Sequence, residues 1–304
     1  MSDLLWPPFS VGVSVLVQDE AGRVLLQRRG DDGLWGTPGG GLDPGEDVLV
    51  AAQRELREET GLRCPDLRLL PLTEALVSGP EFFHRYPDGR GFFLVGARVE
   101  GTLPAEALCQ ARLPANGETR ELRWFALGDL PPLSGNVNRA TLNVLRARAG
   151  WPLLPLEPVS LPPTPPEFWS ALRRTGGAAP PFIPGVSVLV GDGAGRTLLL
   201  RGAGSGRWTL PKRRLEPGES FEACARRGLR ETVLEVETLL PTALQTGPEP
   251  EFLGSVRLGV LYRANVAAPP LTPEARFFST ADLARLGELD AEAEETLALW
   301  RGPG

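Results

Sequence analysis

The sequence predicts an α/β protein made of two copies of one domain, and three observations carry that prediction. The chain has 304 residues, long for a single compact core and comfortable for two. The run Gly12-Val13-Ser14-Val15-Leu16-Val17 recurs as Gly185-Val186-Ser187-Val188-Leu189-Val190, an offset of 173 (185 minus 12). Within a copy, short β-branched runs bounded by turn residues alternate with stretches of helical periodicity.

The offset holds without a gap from Ala21-Gly22-Arg23 and Ala194-Gly195-Arg196 through Trp35 and Trp208 to Pro44-Gly45-Glu46 and Pro217-Gly218-Glu219. It still holds at Leu56-Arg57-Glu58 and Leu229-Arg230-Glu231. A repeat this long is a duplicated domain, since solenoid units repeat every ~20–50 residues. Domain one is placed at 1–150, a proline-rich linker at 151–180 and domain two at 181–304. The linker holds Pro152, Pro155, Pro158, Pro162, Pro163, Pro165 and Pro166, a composition that favours extended polyproline geometry and a semi-rigid spacer. Its Trp151, Leu153, Leu154, Leu156, Phe168 and Trp169 are expected to settle on a domain, and a short helix is expected over Pro166–Arg174, ended by Gly176-Gly177.

In the first copy, Val11–Val17 and Val24–Leu26 read as strands around the turn Asp19–Gly22. Asp47–Thr60 reads as a helix stopped by Gly61. Leu67–Leu76 and Phe92–Val99 read as strands, with a turn at Pro87-Asp88-Gly89 before the second. Leu122–Ala126 reads as a strand and Asn136–Arg148 as a closing helix.

The net charge of −6 argues against a nucleic-acid-binding surface, and a divalent metal can still set a positive local sign for a polyphosphate. No apolar run is long enough to span a bilayer, and Met1-Ser2-Asp3-Leu4 lacks the pattern of a signal peptide, so a cytoplasmic location without membrane partners is expected. The three isolated cysteines, Cys64, Cys109 and Cys224, suggest a reducing compartment with neither a disulfide framework nor a zinc site.

The chemistry concentrates between Thr37 and Leu62. Pro38-Gly39-Gly40-Gly41 lets the backbone approach a ligand closely. On the helix that follows, Val48, Ala52 and Leu56 stack as an apolar stripe, and Glu55, Glu58 and Glu59 share the neighbouring face at i, i+3, i+4. Three carboxylates crowded there repel one another. A hard divalent cation, Mg²⁺ or Mn²⁺, would relieve the conflict; alone, the triplet favours a solvated helix with Arg–Glu pairs.

The full spacing is Gly40, five residues, Glu46, seven residues, Arg54-Glu55-Leu56, one residue, Glu58-Glu59, one residue, Gly61-Leu62. It matches every fixed position of the Nudix box, and the first copy resembles the Nudix hydrolases. The resemblance implies tandem α/β/α sandwich domains with a mixed sheet, and a metal-dependent pyrophosphohydrolase that cleaves a nucleoside diphosphate linked to another moiety, of the nucleotide or nucleotide-sugar class. By resemblance, Glu58 and Glu59 are metal ligands, Glu55 is a ligand or the general base, and the Gly39 carbonyl is a further ligand. Gly40 supports the site, and Arg54 pairs with Glu46 to hold loop against helix. Relatives place another glutamate before a late tryptophan, here Glu118 or, as a fallback, Glu121; a plain loop carboxylate is the competing reading. A phosphate-binding arginine falls on Arg28 or Arg29, where a solvated edge arginine serves equally well. In Phe82-Phe83-His84-Arg85-Tyr86, Tyr86, Phe82 or Phe83 could stack on a base, against plain hairpin packing.

In the second copy Glu219, Arg227 and Glu231 keep the positions of Glu46, Arg54 and Glu58, but Glu55 becomes Gly228, Glu59 becomes Thr232, Gly40 becomes Arg213 and Gly61 becomes Leu234. Two of three clustered carboxylates are gone, so this copy should bind Mg²⁺ poorly. Two readings of it stand: a phosphate-binding domain using Lys212, Arg213 and Arg214, or a lapsed sister that completes a pseudo-dimer. The chain is then a monomeric pseudo-dimer or a homodimer acting on a small-molecule nucleotide pyrophosphate. The alternatives are an ADP-ribose or dinucleoside polyphosphate hydrolase and, from another class, a non-catalytic nucleotide sensor.

Overall fold

The computed structural model describes residues 9–85, 91–163, 167–175, 180–202, 205–232, 236, 238–249, 254–266 and 274–301. Tyr86, the turn expected at Pro87–Gly89, the helix stop at Gly176-Gly177 and Leu234 lie outside them. The chain divides into two compact units, Met1–Phe182 with Thr246–Val256, and Ile183–Gln245 with Arg257–Gly304.

The first unit begins with β1 (Phe9–Gln18) and β2 (Val24–Arg29), an antiparallel pair. Their turn forms because the Asp19 carboxylate accepts from the Ala21 and Arg23 amides at 3.0 and 2.8 Å. β3 (Trp35–Gly36) pairs with β2, and β4 (Gly39–Gly41) pairs with β1. Next come α1 (Val48–Thr60), β5 (Arg68–Leu69), α2 (Leu72–Ala75), β6 (Leu76–Val77), β7 (Phe83–Arg85), β8 (Gly91–Thr102), β9 (Thr119–Phe125) and α3 (Gly135–Arg148). The sheet runs β3-β2-β1-β8-β5, with β4 on β1, β6 and β7 on β8, and β9 on β2. β1 and β8 are parallel from Phe9 beside Phe93 to Gln18 beside Thr102, and the other pairs are antiparallel. The sheet is mixed, as the resemblance implies.

Helices cover both faces. Leu16, Val24 and Leu26 form one core with Leu142 and Leu145 of α3. α1 buries Val48, Ala51, Ala52, Leu56 and Thr60 and contacts β1, β4 and β8. Its N-terminus is capped by the Asp47 carboxylate, and Gly61 ends it in the left-handed conformation at φ 72°.

Leu67–Leu76 is not one strand. Pro71 cannot donate to a ladder and opens the single turn α2. The buried Arg98 then takes the Glu74 and Leu76 carbonyls, both at 2.9 Å, and holds the interruption in place.

The start of the linker has no regular element, and the helix after it, α4, covers Phe168–Thr175. Phe168 and Trp169 are buried, the latter stacked on Phe9 at 6.0 Å, and Leu154 packs against the α3 core. Leu153 and Leu156 remain exposed, contrary to the sequence reading, whereas Trp151, though half in solvent, lies against Gly128 with Arg146 over its ring; side-chain bonds to the backbone dock the segment.

The second unit repeats the plan with β10 (Phe182–Asp192), β11 (Thr197–Arg201), β12 (Trp208–Thr209), β13 (Lys212–Arg214), α5 (Phe221–Arg230), β14 (Leu240–Pro248), β15 (Val256–Val266), β16 (Ala275–Phe278), α6 (Thr280–Arg285) and α7 (Ala291–Arg301). Its sheet runs β12-β11-β10-β15-β14, with β13 on β10 and β16 on β11. Asp192 caps the first hairpin as Asp19 does, accepting from Ala194 and Arg196. No helix among the described residues is long and apolar enough to cross a membrane.

Candidate active site

The glycines beside α1 are spaces that a side chain would fill. A Cβ on Gly39 would stand 2.2 Å from the Val13 carbonyl oxygen, and one on Gly40 would stand 2.6 Å from the Glu55 carboxyl. β4 therefore lies directly under the acidic face of the helix. The Gly39 N–H donates to Glu59 Oε2 at 2.8 Å. Gly39 holds a φ of 144°, a conformation that a residue with a side chain rarely adopts.

Arg54 organises the rest. Its Nε donates to Glu46 Oε1 at 2.9 Å and one Nη to Glu46 Oε2 at 2.8 Å. The same Nη reaches the Gly41 carbonyl at 2.8 Å, and the other holds Glu55 at 2.8 Å and Glu58 at 3.3 Å. This fork ties the loop to the helix as expected, and it holds the Glu46 carboxyl below the usual carboxylate range. Burial pushes Glu55 up, with Arg54 opposing it.

Glu59 is the deepest of the three glutamates. Burial pushes its carboxyl up to about 7, against the bonds from Gln27 and the Gly39 N–H. Sequence reasoning missed Gln27. Its Oε1 accepts from the Thr119 hydroxyl at 2.5 Å, which leaves its Nε2 to donate to Glu59. Arg29, beyond the register shift that β2 makes between Arg28 and Arg29, also interacts electrostatically with Glu59.

Arg29 and Arg28 therefore separate. Arg29 lines the cleft beside the glycines and is paired with Asp31. Arg28 is exposed, bonded to the Gly33 carbonyl and paired in register with Glu121. Glu121 bonds Arg123 on its own strand. Glu118 is an exposed loop carboxylate bonded to the Asn116 amide at 2.8 Å. Among the described residues, no bond joins either glutamate to those of α1. Phe82 is buried and Phe83 packs on Phe93 at 4.9 Å, the hairpin-packing reading of both.

Asn138 is a second unforeseen organiser. Its Oδ1 accepts from both the Thr37 N–H and hydroxyl, fixing the chain just before the glycines.

Among the described residues, no group of three or more His, Cys, Asp or Glu side chains is gathered closely enough to hold a metal ion. Arg54 lies between Glu55 and Glu58, and Glu59 turns to Gly39. The donor set nevertheless suits a hard cation: carboxylates at i, i+3, i+4 and a backbone carbonyl. Glu58 is the freest of them, leaving Arg54 at the loss of a single 3.3 Å contact at an exposed position, a step of under ~1 kcal/mol.

The second copy shows what loss of the set looks like. Arg227 grips Glu219 twice at 2.9 Å and reaches the Arg214 carbonyl at 2.9 Å, reproducing the Arg54 fork. Gly40 and Glu55 of the first copy are exchanged for Arg213 and Gly228. The Arg213 side chain lies across Gly228, with its Cγ 3.0 Å from where a Cβ would stand, and pairs with Glu231. Thr232, in place of Glu59, turns its hydroxyl onto the Leu229 carbonyl. Lys212 donates to Asp290 at 2.8 Å and Glu292 at 3.0 Å. Each surviving charge named here already has an internal partner.

These two sites on two sheets define a class of protein, the Nudix hydrolases. The NUDIX domain model matches residues 8–145 and 181–300, and the chain belongs to that family, carrying its domain twice. Over 123 residues the chain is 47% identical to a Bacillus subtilis (strain 168) protein described as "Putative 8-oxo-dGTP diphosphatase", covering 40% of this chain and 70% of that one. It is 38% identical over 93 residues to the RNA pyrophosphohydrolase of Dinoroseobacter shibae, 29% of this chain and 58% of the relative. A solved MutT NUDIX hydrolase from Burkholderia pseudomallei aligns at 29% identity and TM-score 0.35, over 44% of this chain and 95% of that one.

Proposed function

We propose that this chain hydrolyses the pyrophosphate bond of a nucleoside diphosphate linked to another group, and that it does so in the first domain alone, residues 1–150. The observation that carries the reading is the Arg54 fork, which holds Glu55 and Glu58 over the Gly39–Gly41 strand while Glu59 is tied beneath. Glu55, Glu58, Glu59 and the Gly39 carbonyl would hold Mg²⁺ or Mn²⁺. Such an ion supplies charge neutralisation of the pyrophosphate and polarises the phosphoryl group.

The protein groups do the positioning. Gly40, having no side chain, leaves room for the Glu55 carboxylate, which serves as a ligand or takes the proton of the attacking water. Arg29 faces the cleft and takes a phosphate. Glu46 and Arg54 keep strand and helix in register. Water adds to phosphorus, the bridging P–O bond breaks, and the products are two phosphate-terminated fragments and a proton. The nucleotide half of the substrate is supported by the names of the relatives.

In the second domain, Arg213 covering Gly228 and Lys212 held by two carboxylates favour the lapsed-sister reading over phosphate binding. The free cysteines support a reducing, cytoplasmic setting.

The test is a screen over nucleoside triphosphates, coupled to inorganic pyrophosphatase, and over nucleotide sugars, ADP-ribose and dinucleoside polyphosphates, coupled to alkaline phosphatase, with Mg²⁺ or Mn²⁺ and release of phosphate as the readout. Glu58→Gln and Glu59→Gln should each lower kcat by orders of magnitude with an unchanged circular dichroism spectrum. Retained activity in either would sink the mechanism.

A further inference from the structure

We infer that the proline-rich segment after the first copy is part of its active site, supplying the wall that selects the base-bearing half of the substrate. The inference rests on the nucleotide reading above.

The docking of this segment follows from two matched periods. Asn136 and Asn143 stand seven residues apart on α3, an advance of about 10.5 Å. Leu154 and Glu157 stand three residues apart, about 9.3 Å in polyproline geometry. Both precede prolines, Pro155 and Pro158, which biases them to that geometry. Each asparagine amide grips one of them as a backbone would. Asn143 donates to the Leu154 carbonyl at 3.0 Å and accepts its N–H at 2.7 Å. Asn136 does the same to Glu157 at 2.9 and 2.7 Å. Arg146 and Arg139, also seven apart, add bonds to the Pro152 carbonyl at 2.7 Å and the Glu157 carboxylate at 2.5 Å. The segment therefore runs antiparallel to α3, fixed at two rungs by bonds from side chains of the first copy.

The ladder delivers residues 157–160 to a cavity of about 550 Å³, a size suited to a small organic ligand. Phe92, Pro158 and Val159 give it flat apolar walls. Asn136 ties two of its sides together, since its amide also donates to the Glu81 carbonyl at 3.0 Å. Arg29 and Phe92 line both this cavity and the smaller one over Gly39–Gly41, so the two spaces adjoin. In the larger one Asp31 is paired with Arg29 and Glu157 with Arg139, so the wall that the segment supplies brings no unpaired cation for a polyphosphate. The phosphates then stay at the glycines, with the base against Val159.

The test is calorimetric titration of the full chain with the α,β-methylene analogues of ATP and GTP in Mg²⁺, beside methylenediphosphonate, which carries the bridge without a base. No turnover is needed, so the outcome is separate from the hydrolysis assay. Val159→Trp should weaken binding of at least one nucleotide analogue tenfold or more and leave methylenediphosphonate within twofold. Asn143→Ala, which loosens the segment away from the cavity, should weaken the same analogue about threefold with the melting profile retained. Equal weakening of all three ligands, no change, or no nucleotide binding by the unaltered chain would overturn the inference.

Discussion

Replacing Arg54 by alanine removes one guanidinium and leaves two carboxylates in a tight place. The side chains of Glu46 and Glu55 are only 11% and 14% exposed, and Arg54 itself 23%. Breaking a fully buried ion pair costs about 3–5 kcal/mol, and stranding a partner of a charged hydrogen bond about 1.5–3 kcal/mol. With a quarter of the guanidinium in contact with water, the structure places the loss near the top of the lower range, about 2–3 kcal/mol. At about 2–4 °C per kcal/mol for domains of this size, the first-copy transition should fall by about 5–10 °C in differential scanning calorimetry. Arg54→Lys should recover less than half of that, because an ammonium cannot serve Glu46, Glu55 and the Gly41 carbonyl with a planar fork. A fall below about 2 °C, or full rescue by lysine, would refute the claim that Arg54 locks loop and helix together.

Other consequences follow from the same contacts. Gly40→Ala puts a methyl 2.6 Å from the Glu55 carboxyl; because that carboxyl ends a flexible side chain, steady-state kinetics should show at least a tenfold loss in kcat/KM with a melting shift below about 2 °C. Lys212→Met leaves Asp290 with one partner fewer and Glu292 with Arg257 and Ser187; urea denaturation should show about 1–2 kcal/mol lost from the second copy, with hydrolysis unchanged. The same cluster sets a pH window. Burial pushes the Asp290 and Glu292 carboxyls up, but their cationic and hydrogen-bonding partners outweigh it and hold both below the usual range. Their contribution is thus complete above the unfolded value of about 4 and is lost as pH falls below it. Burial lowers the Lys212 ammonium and its carboxylates outweigh that, holding it above its usual value. Its contribution is complete below about 10 and is lost as pH rises further. Melting of the second copy against pH should show a plateau between these limits, and a maximum displaced below pH 4 would contradict the pairing.

What was legible in the sequence is what spacing alone determines. The helix, read as Asp47–Thr60, and its Gly61 stop follow from residue intervals; the structure starts it one residue later, at Val48, with Asp47 as its cap. The choice between Arg28 and Arg29 did not follow, because the phase of β2 depends on its neighbours and the register shifts between these two residues. Gln27 escaped notice for the same reason. The broken strand after Leu67 needed the sight of Arg98 reaching two carbonyls from another strand. The exchange of Gly40 and Glu55 for Arg213 and Gly228 was visible as letters. That Arg213 occupies the vacated space and neutralises Glu231 is a matter of contact. The linker's prolines predicted its extended course, but only the folded chain aligns Asn136 and Asn143 with it.

The central claim, one working site in the first copy beside a lapsed one, is tested most directly by two matched substitutions. Glu58 and Glu231 hold the same position in the two boxes. Mg²⁺-dependent cleavage of a nucleotide substrate, read as the phosphate-terminated products formed, should fall by orders of magnitude in Glu58→Gln and remain within twofold of the unaltered chain in Glu231→Gln. Activity that survives the first change, or collapses with the second, would contradict the account.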